Sequence, residues 1–185
     1  ATASIVDRDG IQLLALNHLG PAAPTEYAMI LVALMRPVSP GGNVRLSSDD
    51  PTAPPIVEFD LLSDAADRDH LIVGVRDALA MLRRPPFADV VDAVYIDDRG
   101  TTADALDTDE AIGTWLRAYG ADYVHASCSS TAALGPYGTV DGHDALFVCD
   151  ASAFPGIPDA NTHLPTTMLA ERVAARWPGV RGSST

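Results

Sequence analysis

Residues 150–174 read DASAFPGIPDANTHLPTTMLAERVA, in which an acidic residue, two prolines and an Asn-Thr-His triplet precede a helix-forming run. The segment before it, ALFVC at 145–149, is continuously apolar and predicts a buried strand that ends at Asp150. Pro165 suits the first turn of a helix, which the pattern extends to about Trp177. A strand, a loop and a helix in this order resemble one unit of a parallel α/β sheet, where ligands bind beyond the strand ends. We therefore expect a binding site at the start of this helix.

The amino-acid composition indicates a globular protein and limits its possible partners. The chain has 185 residues, of which 47% are apolar, and this suits one globular domain with a full core. Twelve basic residues against twenty-five acidic ones give a formal net charge of −13, which repels phosphate backbones and anionic lipid surfaces. The longest apolar runs are far shorter than the roughly 20 residues that cross a bilayer. Nucleic acid and membrane are therefore not expected as partners.

The cysteines carry little information about function. Cys128 and Cys149 are too few for a disulfide framework and lack the spacing of zinc ligands. No charged-then-apolar secretory leader opens the sequence. Reduced thiols in the cytoplasm are the simplest interpretation, and no metal site is expected.

Several other stretches predict strands. The apolar run YAMILVALMRP at 27–37, the turn residues SPGG and the alternating NVRLSS at 43–48 together predict a β-hairpin. VVDAVYI at 90–96 and DYVHAS at 122–127 also predict strands. Strands and helices mix without regular βαβ alternation, which favours an α+β fold.

Two helices are strongly indicated. Ser63 can cap a helix with apolar residues at helical spacing, which a Pro-Pro pair ends. Its apolar residues are Leu71, Val75, Leu79 and Leu82, and the prolines are Pro85 and Pro86. Asp107 and Glu110 form a capping box for a second helix that ends at Gly120. Its apolar face comprises Ile112, Trp115, Leu116 and Tyr119.

Residue chemistry alone narrows the function only partly. His125 is a possible acid or base, but a histidine on a strand is more often structural. Asn161 suits a helix cap and Asp150 a turn. HASCSS at 125–130 sets Ser and Cys beside a His without the strand–turn–helix elbow of a hydrolase, and no GxGxxG or P-loop occurs. These residues indicate an α+β domain with a site near the last helix.

Two long stretches resemble the glucose–methanol–choline (GMC) flavin oxidoreductases. Residues 34–82 follow the family's strand, Pro-x-Ser, glycine turn, V-x-L strand, D-P-x-x-x-P segment and helix. Residues 140–174 are similar almost position by position to its closing signature, V-x-G-x-x-x-L-x-V-x-D-A-S, P-x-x-P, N-x-N-x-P-T and a helix. The resemblance runs from about Tyr27 to Trp177, and ordered motifs of this length are rarely met by chance.

The resemblance implies two catalytic residues. His125 takes the place of the family histidine that faces the flavin and acts as base on the substrate hydroxyl. Asn161 takes the second position, which is His or Asn in different members, and would face His125 across the substrate. A neutral imidazole can accept a proton, whereas an amide cannot and is suited to hydrogen-bonding the oxygen. The hydride acceptor must be a cofactor, because protein side chains accept no hydride.

The resemblance also implies the cofactor contacts, and the cofactor is FAD. Asp150 and Ala151 would lie near its ribityl and pyrophosphate groups, as the family's D-A-S does. Thr162 and His163, at the start of the last helix, would lie against the pyrimidine edge of the flavin, with Asn161 beside them. A helix N-terminus favours the negative charge that reduced flavin gains at that edge.

The resemblance implies a fold and a missing half. An antiparallel sheet of about six strands, flanked by helices, would form a substrate-binding domain over residues 1–138. Residues 139–185 would return to an α/β FAD-binding domain and complete it with a last strand and helix. Because the sequence has no GxGxxG finger, that domain is expected on a complementary N-terminal polypeptide. After His125 the family's Pro-x-Gly-Thr-x-Arg-Met-Gly is replaced by ASCSSTAALG, with Ser129 in the Thr place, so the loop over the site is expected to differ.

The function implied is FAD-dependent oxidation of the CH–OH group of a small alcohol. Two alternatives stay open at this point. One is a lyase of the hydroxynitrile lyase type, which binds FAD without redox turnover. The other is a non-catalytic subunit that has lost the flavin.

Overall fold

The computed structural model describes residues 3–6, 10–16, 27–39, 41–122, 124–143 and 146–176. The chain divides into two compact units, the first formed by residues 1–41 and 60–121 and the second by residues 42–59 and 122–185. The expected domain boundary between residues 138 and 139 stays a prediction. Within the described ranges, no helix is both long enough and apolar enough to cross a membrane.

The first unit contains a three-stranded antiparallel sheet in the order β1-β2-β3. Its strands are β1 (Ala3–Val6), β2 (Ile11–Leu16) and β3 (Met29–Leu34). Leu13 of β2 lies opposite Val32 of β3. The apolar run near residue 30 therefore forms a strand, as the sequence predicts.

Two helices complete the first unit, and both confirm the sequence prediction. They are α1 (Ala65–Leu82) and α2 (Asp109–Tyr119). Each cap lies one residue later than expected, because the Asp64 carboxylate accepts from Ala66 N at 2.8 Å and the Thr108 hydroxyl accepts from Ala111 N at 3.1 Å. Helix α1 packs on β2, β3 and α2. The core between the helices consists of Val75, Leu106, Ile112 and Leu116.

The second unit carries little regular structure. Strands β4 (Asn43–Arg45) and β5 (Ile56–Glu58) form an antiparallel ribbon, and α3 (His163–Ala174) is its one long helix in the described ranges. Short 3-10 turns cover Thr131–Ala133, Pro136–Gly138 and Ala151–Ala153. Helix α3 begins two residues before Pro165, and the expected end at Trp177 lies outside the described residues.

The predicted hairpin over residues 27–48 is wrong. Strand β3 pairs with β2, whereas β4 pairs with β5, so the two runs belong to different sheets. The reason lies in the residues after β3. The Asp67 carboxylate of α1 accepts hydrogen bonds from Val38 N at 2.8 Å and Ser39 N at 3.1 Å, so this backbone is tied to the helix start and does not turn back.

Three predicted strands are also wrong as regular strands. In 90–96, Val91 N donates to Phe87 O at 3.0 Å in a helical turn, and a single bridge joins Tyr95 to Thr102. In 122–127, Val124 has φ 47°, which breaks an extended run. In 145–149, Phe147 makes one antiparallel bridge to Thr139. Across the described ranges, five strands form two sheets, and a six-stranded sheet is not confirmed.

Candidate active site

The loop that carries His125 is fastened to the Asp-Ala-Ser segment by backbone hydrogen bonds. Cys128 N donates to Ala151 O at 3.1 Å, and Ser130 N donates to Ser152 O at 2.9 Å. The segment has a fixed turn of its own, because the Asp150 carboxylate accepts from Ser152 N at 2.8 Å. The structure therefore brings together two stretches that the sequence analysis singled out separately.

Thr131 is a structural residue of this loop that the sequence analysis did not single out. Its hydroxyl lies 2.8 Å from Cys128 O and 2.8 Å from Phe154 O, so it bridges the loop and the end of the Ala151–Ala153 turn. The resemblance places Ser129 where the family has a threonine, but Ser129 is exposed. The hydroxyl that ties the loop to Phe154 belongs to Thr131, two residues later. Its role could not be predicted from the sequence, because residues in this loop have no regular spacing.

His125 is half-buried and lies next to the start of α3. Its Nδ1 atom is 3.1 Å from the hydroxyl oxygen of Thr162, a hydrogen bond whose direction depends on the imidazole tautomer. Thr162 is also half-buried, and its carbonyl oxygen accepts from Thr166 N at 2.9 Å, the first backbone hydrogen bond of α3. The imidazole thus lies against the start of α3.

An open pocket of about 540 Å³ surrounds this contact. Its lining residues are Val124, His125, Thr162, His163, Thr166, Thr167, Ala170 and Glu171. Three predicted site residues, His125, Thr162 and His163, therefore share one concave surface. Asn161 is exposed and adjoins Thr162 in the chain but does not line the pocket, and neither do Asp150 and Ala151.

The pocket offers the donor groups that one edge of an anionic ring requires. The first backbone N–H groups of a helix lack intrahelical partners and carry partial positive charge, and those of α3 begin at His163 near the His125 imidazole. The hydroxyls of Thr166 and Thr167 are not free donors, because they donate to Thr162 O at 2.7 Å and His163 O at 3.0 Å.

Pro165 has no N–H, and this absence costs the helix nothing, because N–H groups of the first turn have no intrahelical partner. The free backbone N–H groups fit the polar edge of a flavin at the helix start. The lining does not fit a diphosphate, because it supplies no lysine or arginine and includes the Glu171 carboxylate.

Comparison with known proteins identifies relatives over most of the chain. A family model described as GMC oxidoreductase matches residues 37–170. The oxygen-dependent choline dehydrogenase of Paraburkholderia phytofirmans is 34% identical over 144 residues, covering 75% of this chain and 25% of that protein. The 5-(hydroxymethyl)furfural oxidase of Methylovorus sp. is 31% identical over 172 residues, covering 85% and 32%. The chain thus spans a quarter to a third of the length of these relatives.

Solved structures with the same fold cover nearly all of the chain. Formate oxidase of Aspergillus oryzae RIB40, in a study of its FAD modification, matches with a TM-score of 0.77 at 24% identity, over 90% of this chain and 31% of that one. A fungal aryl-alcohol oxidase matches with a TM-score of 0.70 at 23% identity, over 90% and 27%. At these identities the likeness establishes the fold.

Proposed function

Because the chain belongs to the GMC oxidoreductase family, whose members are FAD-dependent flavoproteins, we propose that it forms the substrate-facing part of an enzyme that oxidises the CH–OH group of an alcohol. The observation that carries this proposal is the half-buried His125 imidazole, held 3.1 Å from Thr162 in an open pocket at the start of α3. A base at the edge of a pocket that fits a flavin ring is the arrangement that alcohol oxidation needs.

The chain's own residues would manage the proton. His125 accepts the proton of the substrate hydroxyl, a step typically worth about 10²–10⁴-fold in rate. Asn161, which adjoins Thr162 in the chain but does not line the pocket, would hydrogen-bond the same oxygen through its amide, because an amide cannot act as a base. When bound, FAD supplies the hydride-accepting chemistry that no side chain can provide.

Five residues would hold the cofactor, one of them Asn161 beside Thr162. Thr162 and His163 lie at the start of α3, where the helix dipole favours negative charge on the flavin ring, and Asp150 and Ala151 would address the ribityl and pyrophosphate side. The exposed Asp150 carboxylate, engaged through one oxygen by Ser152 N, has the capacity to accept a ribityl hydroxyl. The phosphate cradle would come from a complementary FAD-domain polypeptide, with residues 139–185 completing that domain.

The test is anaerobic bleaching of the flavin in the full-length enzyme. Choline and 5-(hydroxymethyl)furfural, which the names of two relatives suggest, provide one cationic and one neutral alcohol. We expect at least one alcohol of this panel to bleach the yellow spectrum, with aldehyde formed in equal amount. A flavin that no alcohol bleaches, in a protein that cleaves a cyanohydrin, would establish the lyase alternative instead. A protein that stays colourless even when the complementary FAD-domain polypeptide is supplied would establish the non-catalytic alternative.

A further inference from the structure

Two arginine side chains near the end of α3 lie over one tyrosine ring. The Cζ atom of Arg176 is 4.1 Å from the centroid of the Tyr137 ring, and that of Arg172 is 5.8 Å from the same centroid. Both distances are within the roughly 6 Å at which a cation is attracted to an aromatic face. Tyr137 belongs to the Pro136–Gly138 turn, which contacts α3 within the second unit. Two positive charges therefore lie over a single ring.

Neither arginine has an acidic partner in the described part of the chain. The ion pairs there belong to Arg45, Arg76 and Arg83, and both Arg172 and Arg176 are exposed. Like charges four residues apart on a helix repel each other. The chain as a whole has a formal net charge of −13, so an unneutralised pair of cations is unlike its overall charge. An anion bound by both arginines would relieve their repulsion.

The surroundings hold the two cations without occupying their hydrogen-bond donors. An aromatic face attracts the charge of a guanidinium, but it provides no oxygen to accept the five N–H groups that each arginine can donate. Arg172 also lies in the last turn of α3, where the partial negative charge of the helix end favours cations. Long side chains that are restricted in advance lose less entropy when a ligand binds. The pair is therefore prepared to bind an anion.

We propose that Arg172 and Arg176 form a binding site for a phosphate dianion, supplied either by inorganic phosphate or by a phosphate monoester. Two guanidinium charges match the charge of a phosphate monoester, about −1.5 to −2 near neutral pH. Each planar guanidinium can donate two parallel N–H···O bonds to phosphate oxygens, whereas a single carboxylate would neutralise only one of the two cations. This site lies outside the His125 pocket, whose lining contains no arginine, and the proposal does not depend on the proposed function.

The test is an NMR titration of the full-length enzyme, labelled with ¹⁵N-arginine, with sodium phosphate at constant ionic strength. The side-chain Nε–H signals are assigned by their disappearance in Arg172→Gln and Arg176→Gln. We expect both signals to shift and to saturate together, whereas sodium chloride at the same ionic strength leaves them in place. A parallel titration with glycerol 3-phosphate distinguishes the two sources, because the tighter of the two probes identifies the form of phosphate that the site prefers.

Variants measure what each side chain contributes. An exposed charge pair contributes up to about fivefold in affinity, so Arg172→Gln and Arg176→Gln should each weaken phosphate binding by up to about fivefold, measured on the remaining arginine. Tyr137→Leu removes the aromatic face and should weaken binding by about two- to fivefold, whereas Tyr137→Phe keeps the ring and should match the wild type. Arg84→Gln removes the same charge from an exposed position in the first unit and should leave the affinity unchanged.

Three results would overturn the proposal. Arginine signals that phosphate does not move would exclude the site, as when a carboxylate of the larger protein already occupies the pair. An Arg84→Gln variant that binds phosphate as weakly as Arg176→Gln would show that only net charge matters. Loss of FAD from Arg172→Gln would show that the cofactor supplies the phosphate, whereas we expect an unchanged flavin content.

Discussion

At the scale of single residues, Asp67 is the one buried charged side chain in the described part of the chain, at 2% exposure. It lies in the first turn of α1, where a carboxylate is favoured by the helix dipole. Both of its oxygens accept backbone N–H groups, from Val38 and Ser39. These two hydrogen bonds hold the backbone after β3 against the start of α1.

Replacing Asp67 should therefore destabilise the first unit. Asp67→Ala leaves two N–H groups without their acceptor, and hydrogen bonds to charged groups contribute about 1.5–3 kcal/mol each. Asp69→Ala is the matched control, since Asp69 is exposed on the same helix and its loss brings the same gain in helix propensity. The measurement is the urea midpoint of each variant. Equal midpoints for the two variants would contradict the role of Asp67.

Asp97 predicts a pH dependence. The Thr101 hydroxyl and the Thr101 N–H both donate to its carboxylate, at 2.7 Å and 2.9 Å, and hold the pKa of Asp97 below its ordinary value of 3.8. A carboxyl with a lowered pKa in the folded state stabilises the fold above its ordinary pKa and loses this effect as pH falls through the lowered value.

The stability advantage of the wild type over Asp97→Asn should accordingly be constant between about pH 5 and pH 7 and should shrink below about pH 4. Thermal midpoints at pH 3 and pH 7 measure it, with Asp98→Asn, an exposed neighbour, as control. An advantage that grows on acidification would show that Asp97 contributes with the opposite sign.

At the scale of elements, two buried helical glycines make contrasting contacts. A Cβ atom on Gly74 of α1 would lie 2.9 Å from Cγ2 of Ile11 and 2.9 Å from Cγ1 of Val32, which belong to the sheet beneath it. A Cβ atom on Gly113 of α2 would meet its nearest neighbour, Ile72 Cδ1, at an ordinary 3.7 Å. Only the first position uses glycine for close packing.

The same substitution should therefore have opposite effects at the two positions. Gly74→Ala forces α1 away from β2 and β3, and overpacking of this kind typically costs about 1–3 kcal/mol. Gly113→Ala adds helix propensity without a clash and should stabilise by up to about 1 kcal/mol. Thermal unfolding compares the two. A stabilising Gly74→Ala would show that α1 does not approach the sheet this closely.

The loop that carries His125 should depend on the hydroxyl of Thr131. Thr131→Val leaves the Cys128 and Phe154 carbonyl groups without this donor, and a lost hydrogen bond of this kind costs about 1 kcal/mol. Hydrogen exchange at the Cys128 and Ser130 amides should accelerate about fivefold. Ser129→Ala is the control and should leave both amides protected. If the two variants exchange alike, the tether is not made by Thr131.

The sequence predicts the helices well and the strands poorly, for a physical reason. Helices α1 and α2 have apolar residues at a regular spacing and local caps, and these signals are contained within each helix. The wrong strands depend on partners distant in sequence. Val91 and Val124 have the composition of strand residues, but a turn at Phe87 and a positive φ at Val124 keep them out of any sheet. The predicted hairpin does not form, because the Asp67 carboxylate, about thirty residues away, accepts hydrogen bonds from the backbone that would have formed its turn.

At the scale of the whole molecule, the family was predictable because its motifs are long and ordered, and the match over residues 37–170 confirms it. The structure groups His125, Thr162 and His163 around one pocket and leaves Asn161, Asp150 and Ala151 outside it, and the roles that the resemblance implies for these residues stay predictions. The Thr162–His125 hydrogen bond and the Thr131 tether had no sequence signal, because each joins residues through an irregular loop. The chain spans a quarter to a third of the length of these relatives.

The central claim, that His125 is the base in flavin-dependent alcohol oxidation, is tested most directly by anaerobic stopped-flow reduction of the full-length enzyme. His125→Gln is compared with the wild type and with His143→Gln, an exposed histidine of the same unit. We predict that His125→Gln keeps its FAD but is reduced about 10²–10⁴-fold more slowly, whereas His143→Gln matches the wild type. Flavin reduction in His125→Gln at the wild-type rate would contradict the account.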